Sequence, residues 1–151
     1  MKIFKYITNG VLLIIIGVMH TQFACSAGGF KEQIHDFSDS YFYKVSEGMN
    51  EFPATVGHTD FESFAALWFL LFGVFLIPLG LLVHSIEKQK LALPPYFTWT
   101  YLLVVLIGVY MVPNSGITFF MLPQAIYMLI RNLIRSQAIR VEKLDPVSLN
   151  Q

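Results

Sequence analysis

Six residues with polar groups lie within or beside long apolar stretches of the chain: His20, Thr21, Trp68, Asn114, Ser115 and Gln124. Polar side chains at membrane depth are costly unless they face the protein interior, so the six are candidate ligand-binding residues of one cavity. The alternative is that they hold helices together, since such side chains hydrogen-bond across membrane-helix interfaces for about 0.6 kcal/mol each.

The histidines raise the question of a metal site. His20, His35 and His58 fall on the predicted external side, with Asp36, Asp39 and Asp60 nearby in sequence. Zinc takes three or four ligands in a tetrahedral array. No two of these histidines have a ligand spacing such as His-x3-His, so no metal is predicted. No haem or other cofactor is predicted either, because His20 and His84 fall at opposite ends of the predicted bundle.

Catalytic motifs are missing from the sequence. It contains no Gly-x-Ser-x-Gly elbow and no glycine loop that cradles phosphates. The apolar cores of the predicted membrane spans contain no charged residue, which disfavours a proton-driven pump. We therefore assign no catalytic residue.

The elements that must position these residues follow from charge-free stretches at 6–30, 63–86 and 91–130. A bilayer core about 30 Å thick needs about 20 apolar residues in a helix. Pro113-Asn114-Ser115-Gly116 divides the third stretch into two. The sequence predicts one all-α domain over residues 1–151, a four-transmembrane-helix bundle with spans at about 3–24, 60–86, 95–112 and 116–134.

Charge distribution sets the predicted topology. Charged residues make up 13% of the chain, about half the usual fraction of a soluble domain. Seven acids and two lysines fall between residues 31 and 62, and the other eight basic residues lie in the N-terminal tip, the 87–90 turn and the C-terminal tail. Because basic loops stay cytoplasmic, we predict a multi-pass protein of the cytoplasmic membrane, with both termini and the 135–151 tail inside.

The external segment at 25–59 has an amphipathic pattern. Apolar residues recur at helical spacing from Phe30 to Phe52, opposite an acidic face, which predicts a helix that docks on the bundle. Cys25 is the only cysteine, so an internal disulfide is excluded. Its position after an apolar run leaves open a cleaved signal peptide, but we expect the first helix to be retained.

Small residues mark the faces where helices should pack. Gly10 and Gly17 recur on the first helix, and Gly73 and Gly80 on the second, where they permit close helix approach. Pro78 and Pro123 should bend the second and fourth helices.

Five segments carry a family resemblance: Gly17–Thr21, Leu67–Gly73, Gly80–Leu82, Pro113–Gly116 and Leu122–Tyr127. They resemble a family of small bacterial four-helix membrane proteins catalogued as a domain of unknown function and distantly DoxX-like. The resemblance implies the fold and topology and brings no activity.

The sequence favours a non-catalytic accessory protein or a module that binds lipid or a small apolar ligand. The second hypothesis is a small membrane enzyme or redox accessory with a site at the outer face around His20. Membrane lipid is the expected partner, a second copy or another membrane protein is an alternative, and nucleic acid is not expected because the net charge is zero.

Overall fold

The computed structural model describes residues 7–35 and 61–144, with the backbone alone for 61–64 and 142–144. Within these ranges all regular structure is helical, which confirms the all-α prediction. The long helices are α1 (Asn9–Ala24), α2 (Phe61–Lys88), α3 (Pro95–Met111) and α4 (Leu122–Leu144), and a π-helical turn, Ile117–Met121, precedes α4.

Among the described residues, two helical stretches are long and apolar enough to cross a membrane, namely Ala65–Lys88 and Ile117–Val141. Helices α1 and α3 are apolar but have only 16 and 17 residues. The prediction of four spans therefore exceeds what helix length supports.

The start of the first predicted span, near residue 3, lies outside the described residues. Among the described residues, 7 and 8 are not helical and α1 starts at Asn9. The Thr8 hydroxyl accepts a hydrogen bond from the Val11 amide at 3.2 Å, so Thr8 caps the helix.

Several predictions fall outside the described residues. The predicted amphipathic helix is described only at residues 31–35, which are helical. The start of the second predicted span and the tail beyond residue 144 lie outside the described residues.

The described chain divides into two compact units: unit 1 contains Met1–Ile16 and Pro78–Gln151, and unit 2 contains Gly17–Ile77. In unit 1 the start of α1 packs against the end of α2 through the predicted small residues. A Cβ added at Gly80 would lie 2.7 Å from the Gly10 carbonyl oxygen, so the two backbones are in contact. Leu13 and Val83 are fully buried beside this crossing.

Unit 2 repeats this arrangement between the end of α1 and the first half of α2. A Cβ added at Gly17 would lie 2.8 Å from the Gly73 carbonyl oxygen. Leu76 is buried there, and the Phe30 ring lies 4.9 Å from that of Phe69.

A short turn connects the end of α2 to the start of α3. Lys90 has φ 58°, its amide donates to the Glu87 carbonyl and the Leu91 amide donates to the Ile86 carbonyl. This Schellman pattern ends α2 firmly with a lysine in place of the usual glycine. Pro94 and Pro95 then begin α3.

The start of α4 is modified by a proline. Pro123 has no N–H to donate, and immediately before it the Leu122 amide donates to the Ile117 carbonyl, five residues back. The predicted irregularity near Pro123 is thus a π turn between Gly116 and α4.

Candidate functional site

His20 lies on the face of α1 that contacts α2 within unit 2. Its Nε2 donates to the Phe69 carbonyl oxygen at 3.1 Å, because a carbonyl oxygen can only accept. The imidazole also stacks on the Phe69 ring at a centroid distance of 3.8 Å and meets the Phe72 ring edge-on at 5.6 Å. One nitrogen and one ring face of His20 are therefore engaged in helix packing.

Thr21 adjoins His20 at Gly73. A Cβ added at Gly73 would lie 2.7 Å from Thr21 Oγ1 and 2.9 Å from His20 Cδ2. The Thr21 hydroxyl is buried and has no hydrogen-bond partner among the described residues. The Trp68 side chain is 58% exposed. The structure thus brings His20 and Thr21 together, with Trp68 on the exposed surface.

The other three predicted site residues belong to unit 1. Asn114 is exposed in the turn after α3, where the Ser115 hydroxyl donates to the Val112 carbonyl at 2.7 Å. Gln124 is buried on α4, and its Oε1 accepts from the Tyr101 hydroxyl at 2.8 Å. Because these residues and His20 belong to different units, one cavity lined by all six stays a prediction.

The histidine and acid cluster considered for metal is only partly described. Within 7–35 and 61–144, no three His, Cys, Asp or Glu side chains are arranged to hold a metal ion. His58, Asp36, Asp39 and Asp60 lie outside those ranges.

A polar grouping in unit 1 was not among the predicted site residues, and Glu87 is at its centre. The Glu87 side chain is only 8% exposed. Its Oε1 accepts from Asn9 Nδ2 at 2.6 Å, and its Oε2 accepts from the Gly10 amide at 3.3 Å. The Gly10 amide is one of the free donors in the first turn of α1, so the carboxylate stabilises this helix end and is stabilised by its positive dipole.

The neighbouring residues of the same end are also hydrogen-bonded. Thr8 Oγ1 lies 2.7 Å from His84 Nδ1, one turn before Glu87 on α2. Asn9 is 1% exposed, and its Oδ1 has no hydrogen-bond partner among the described residues. A buried acceptor without a partner is costly, so Asn9 Oδ1 would gain from a hydrogen bond with a further donor.

Helix α4 contributes Arg131 and Asn132 to this part of unit 1. Arg131 Nη1 donates to the Ile7 carbonyl at 2.8 Å and to the Tyr127 hydroxyl at 3.1 Å. Asn132 pairs with the backbone of Leu93: its Oδ1 accepts from the Leu93 amide at 2.7 Å and its Nδ2 donates to the Leu93 carbonyl at 2.9 Å.

A cavity of about 290 Å³ opens between the end of α2 and α4. Its polar lining combines one carboxylate, two guanidinium groups and the Asn132 amide, and its remaining side chains are apolar. The lining residues are Glu87, Leu91, Arg131, Asn132, Ile134, Arg135 and Ala138. This arrangement can bind a polar group of mixed charge beside an apolar one.

Residues 4–135 match a family of unknown function, DUF6463. The chain belongs to this family. No curated protein and no solved structure matches it. DUF6463 membership confirms the resemblance to a domain of unknown function, while the bacterial source, the membrane location and the likeness to DoxX proteins stay predictions.

Sequence reasoning missed the Glu87 grouping in this DUF6463 protein. Arg131 and Arg135 count among the basic residues of the C-terminal region that set the predicted topology, with no ligand role assigned. Glu87 is the only acid between residues 63 and 141, and Asn9 interrupts an apolar run. These two polar residues were the available signal in the sequence. Their pairing across 78 positions is visible only in the fold.

Proposed function

We propose that this DUF6463 protein is a non-catalytic integral membrane protein of the bacterial cytoplasmic membrane that binds lipid or a small apolar ligand. The observation that carries the proposal is the exposure of its apolar helices. In the most apolar part of each long helix, only 28% of the residues are buried within the chain. A core helix of a water-soluble protein would bury most of them, whereas lipid is a suitable solvent for such a surface.

The proposal includes four crossings, because α1 and α3 have the same character as the long helices. Neither contains a charged residue, and both expose large apolar side chains, among them Phe23 in α1 and Leu103, Val104 and Ile107 in α3. A helix of 16 or 17 residues extends roughly 25 Å. A bilayer accommodates a deficit of a few Å by local thinning at modest cost.

The charge pattern supports an orientation with both termini inside. Lys88 and Lys90 follow α2, and Arg131, Arg135 and Arg140 occupy the later part of α4. In a four-span arrangement these two regions fall on the same side, and basic residues favour the cytoplasmic side.

The non-catalytic part of the proposal is supported by the contacts of His20. The Nε2 of His20 is bonded to a backbone carbonyl and its ring is stacked on Phe69, as expected of a packing residue. The binding role is supported instead by the mixed-charge cavity at the other end of α2.

Cys25 provides a direct test, because it is exposed just after α1 and is the only cysteine. In cells with an accessible cytoplasmic membrane, a membrane-impermeant maleimide should label Cys25. The matched variant C25S/Q89C moves the thiol to the exposed turn after α2. It should be labelled only after permeabilisation. Labelling of the variant from outside, or of Cys25 only after permeabilisation, would show that the topology is wrong.

A further inference from the structure

Glu87 is a buried carboxylate without a cationic partner among the described residues. Its hydrogen bonds come from Asn9 and the Gly10 amide, which are neutral donors. Each carboxylate oxygen has two acceptor sites, so both oxygens retain capacity for a further donor. The adjacent Asn9 Oδ1 is a second buried acceptor without a partner.

The guanidinium groups that share the cavity are likewise unpaired with acids in the described part of the chain. Arg131 donates through Nη1 to two neutral oxygens and lies 5.5 Å from the centre of the Tyr127 ring, which fixes its position. A guanidinium has five N–H donors, so Arg131 keeps several for a ligand. Arg135 lines the same cavity one turn later on α4.

Opposite charges therefore line one cavity without neutralising each other. Neither arginine forms a hydrogen bond or ion pair with Glu87 in the structure as described. A ligand can form hydrogen bonds with both the buried carboxylate and the guanidinium groups, which have no acidic partner among the described residues. A ligand with an ammonium and an anionic group would do so, with the ammonium at Glu87 and the anion at the arginines.

Resting on the membrane-binding function above, we propose that this cavity binds a phosphoethanolamine group. Planar guanidinium pairs favour phosphate, and the volume of about 290 Å³ is near the lower limit for ligand pockets, which suits a headgroup. Leu91, Ile134 and Ala138 supply apolar lining for the start of an acyl-bearing glycerol. The source of the group is phosphatidylethanolamine of the cytoplasmic leaflet or a free zwitterion.

The test is a lipid titration of delipidated protein in mild detergent, followed by native mass spectrometry. Wild-type protein should bind phosphatidylethanolamine about tenfold more tightly than phosphatidylglycerol with the same acyl chains, because only the former carries an ammonium for Glu87. E87Q should remove this preference. R135Q should weaken the binding of both lipids, and it keeps all hydrogen bonds described for α1 and α2.

R140Q is the matched control, since Arg140 is exposed on α4 and does not line the cavity. It should bind both lipids as the wild type does. A competition experiment adds free phosphoethanolamine to the lipid-bound protein. If it displaces the lipid from the wild type but not from E87Q, the site is supported and the bound group comes from a water-soluble molecule.

Two results would overturn the inference: equal affinity of the wild type for the two lipids, or unchanged affinity in R135Q. If lipids bind equally, the general binding function stands. If the wild type binds neither lipid nor any other amphiphile tested, that function fails as well.

Discussion

At the scale of single residues, side-chain amides and an imidazole form hydrogen bonds with backbone groups of a neighbouring segment. Asn132 bonds both the amide and the carbonyl of Leu93, just before α3 begins. His20 likewise donates to a carbonyl of α2. These side chains supply hydrogen bonds that a purely apolar helix contact would lack, and they fix which residues of the two segments meet.

His20 tests whether such a contact stabilises the protein or serves a ligand. His20→Leu should lower the free energy of unfolding by about 1 kcal/mol, because the bond to the Phe69 carbonyl is lost. His20→Asn keeps a hydrogen-bond donor and should cost less. The measurement is thermal or denaturant unfolding in detergent. Met19→Leu, an exchange at an exposed position of α1, should be neutral.

A different pattern would identify His20 as a ligand or catalytic residue. In that case both variants would keep the wild-type stability and lose a bound species or an activity, because only imidazole titrates near neutral pH and coordinates metal.

At the scale of helices, glycines rather than large side chains define the contact between α1 and α2. In unit 1, a Cβ on Gly10 would overlap the backbone of His84 and Gly80. In unit 2, a Cβ on Gly73 would lie 3.0 Å from the Thr21 amide nitrogen. Backbones this close gain van der Waals contact that larger residues prevent, as in small-xxx-small membrane pairs.

Gly80→Ala should therefore destabilise the protein by about 2 kcal/mol, the usual scale of overpacking. The added methyl would lie 2.7 Å from both the Gly10 carbonyl oxygen and Ile14 Cγ1, and the first of these is backbone that cannot rotate away. Gly116→Ala is the control, because its Cβ would meet only Phe120 Cδ2 at 3.6 Å. Equal unfolding free energies of the two variants would contradict this helix crossing.

The helices and these packing faces were readable from the sequence, because apolar length and the spacing of small residues are local signals. Gly10, Gly17, Gly73 and Gly80 all lie at the predicted contacts. The position at which α1 starts is not such a signal, because apolar residues lie on both sides of the Thr8 cap.

The Glu87 site was less predictable than the helices. A lone acid at a helix end resembles a solvated cap, and neither its burial nor its bond to Asn9 follows from neighbours in sequence. The π turn was also hidden, because a proline predicts an irregularity without specifying its form.

At the scale of the whole molecule, the exposed surface of the helices is apolar, while its charges concentrate near helix ends and beyond. Phe75, near the middle of α2, is 65% exposed. On α4, Val141 is exposed to a similar extent but lies beyond Arg131, Arg135 and Arg140. The proposed membrane location predicts that these two apolar residues have different surroundings.

Phe75→Asp should reduce membrane insertion, because an acid at the centre of a span costs about 2.5–3.5 kcal/mol. Val141→Asp should have no such effect, since the residue would lie in the cytoplasm. Fractionation of cells, with the share of each variant in the membrane pellet, measures the difference. If the share of Phe75→Asp in the membrane pellet equals that of Val141→Asp and of the wild type, this face of α2 does not meet lipid.

The carboxylate of Glu87 at the start of α1 also has a consequence for biosynthesis. Asn9 and Glu87 are 78 positions apart, so the ribosome completes α1 long before it adds the residue that bonds its first turn. Until then the amide of Gly10 and the side chain of Asn9 depend on water or lipid headgroups for partners. The first turn of α1 thus gains the carboxylate of Glu87 only after the end of α2 has been synthesised, later than the residues that meet at Gly17 and Gly73.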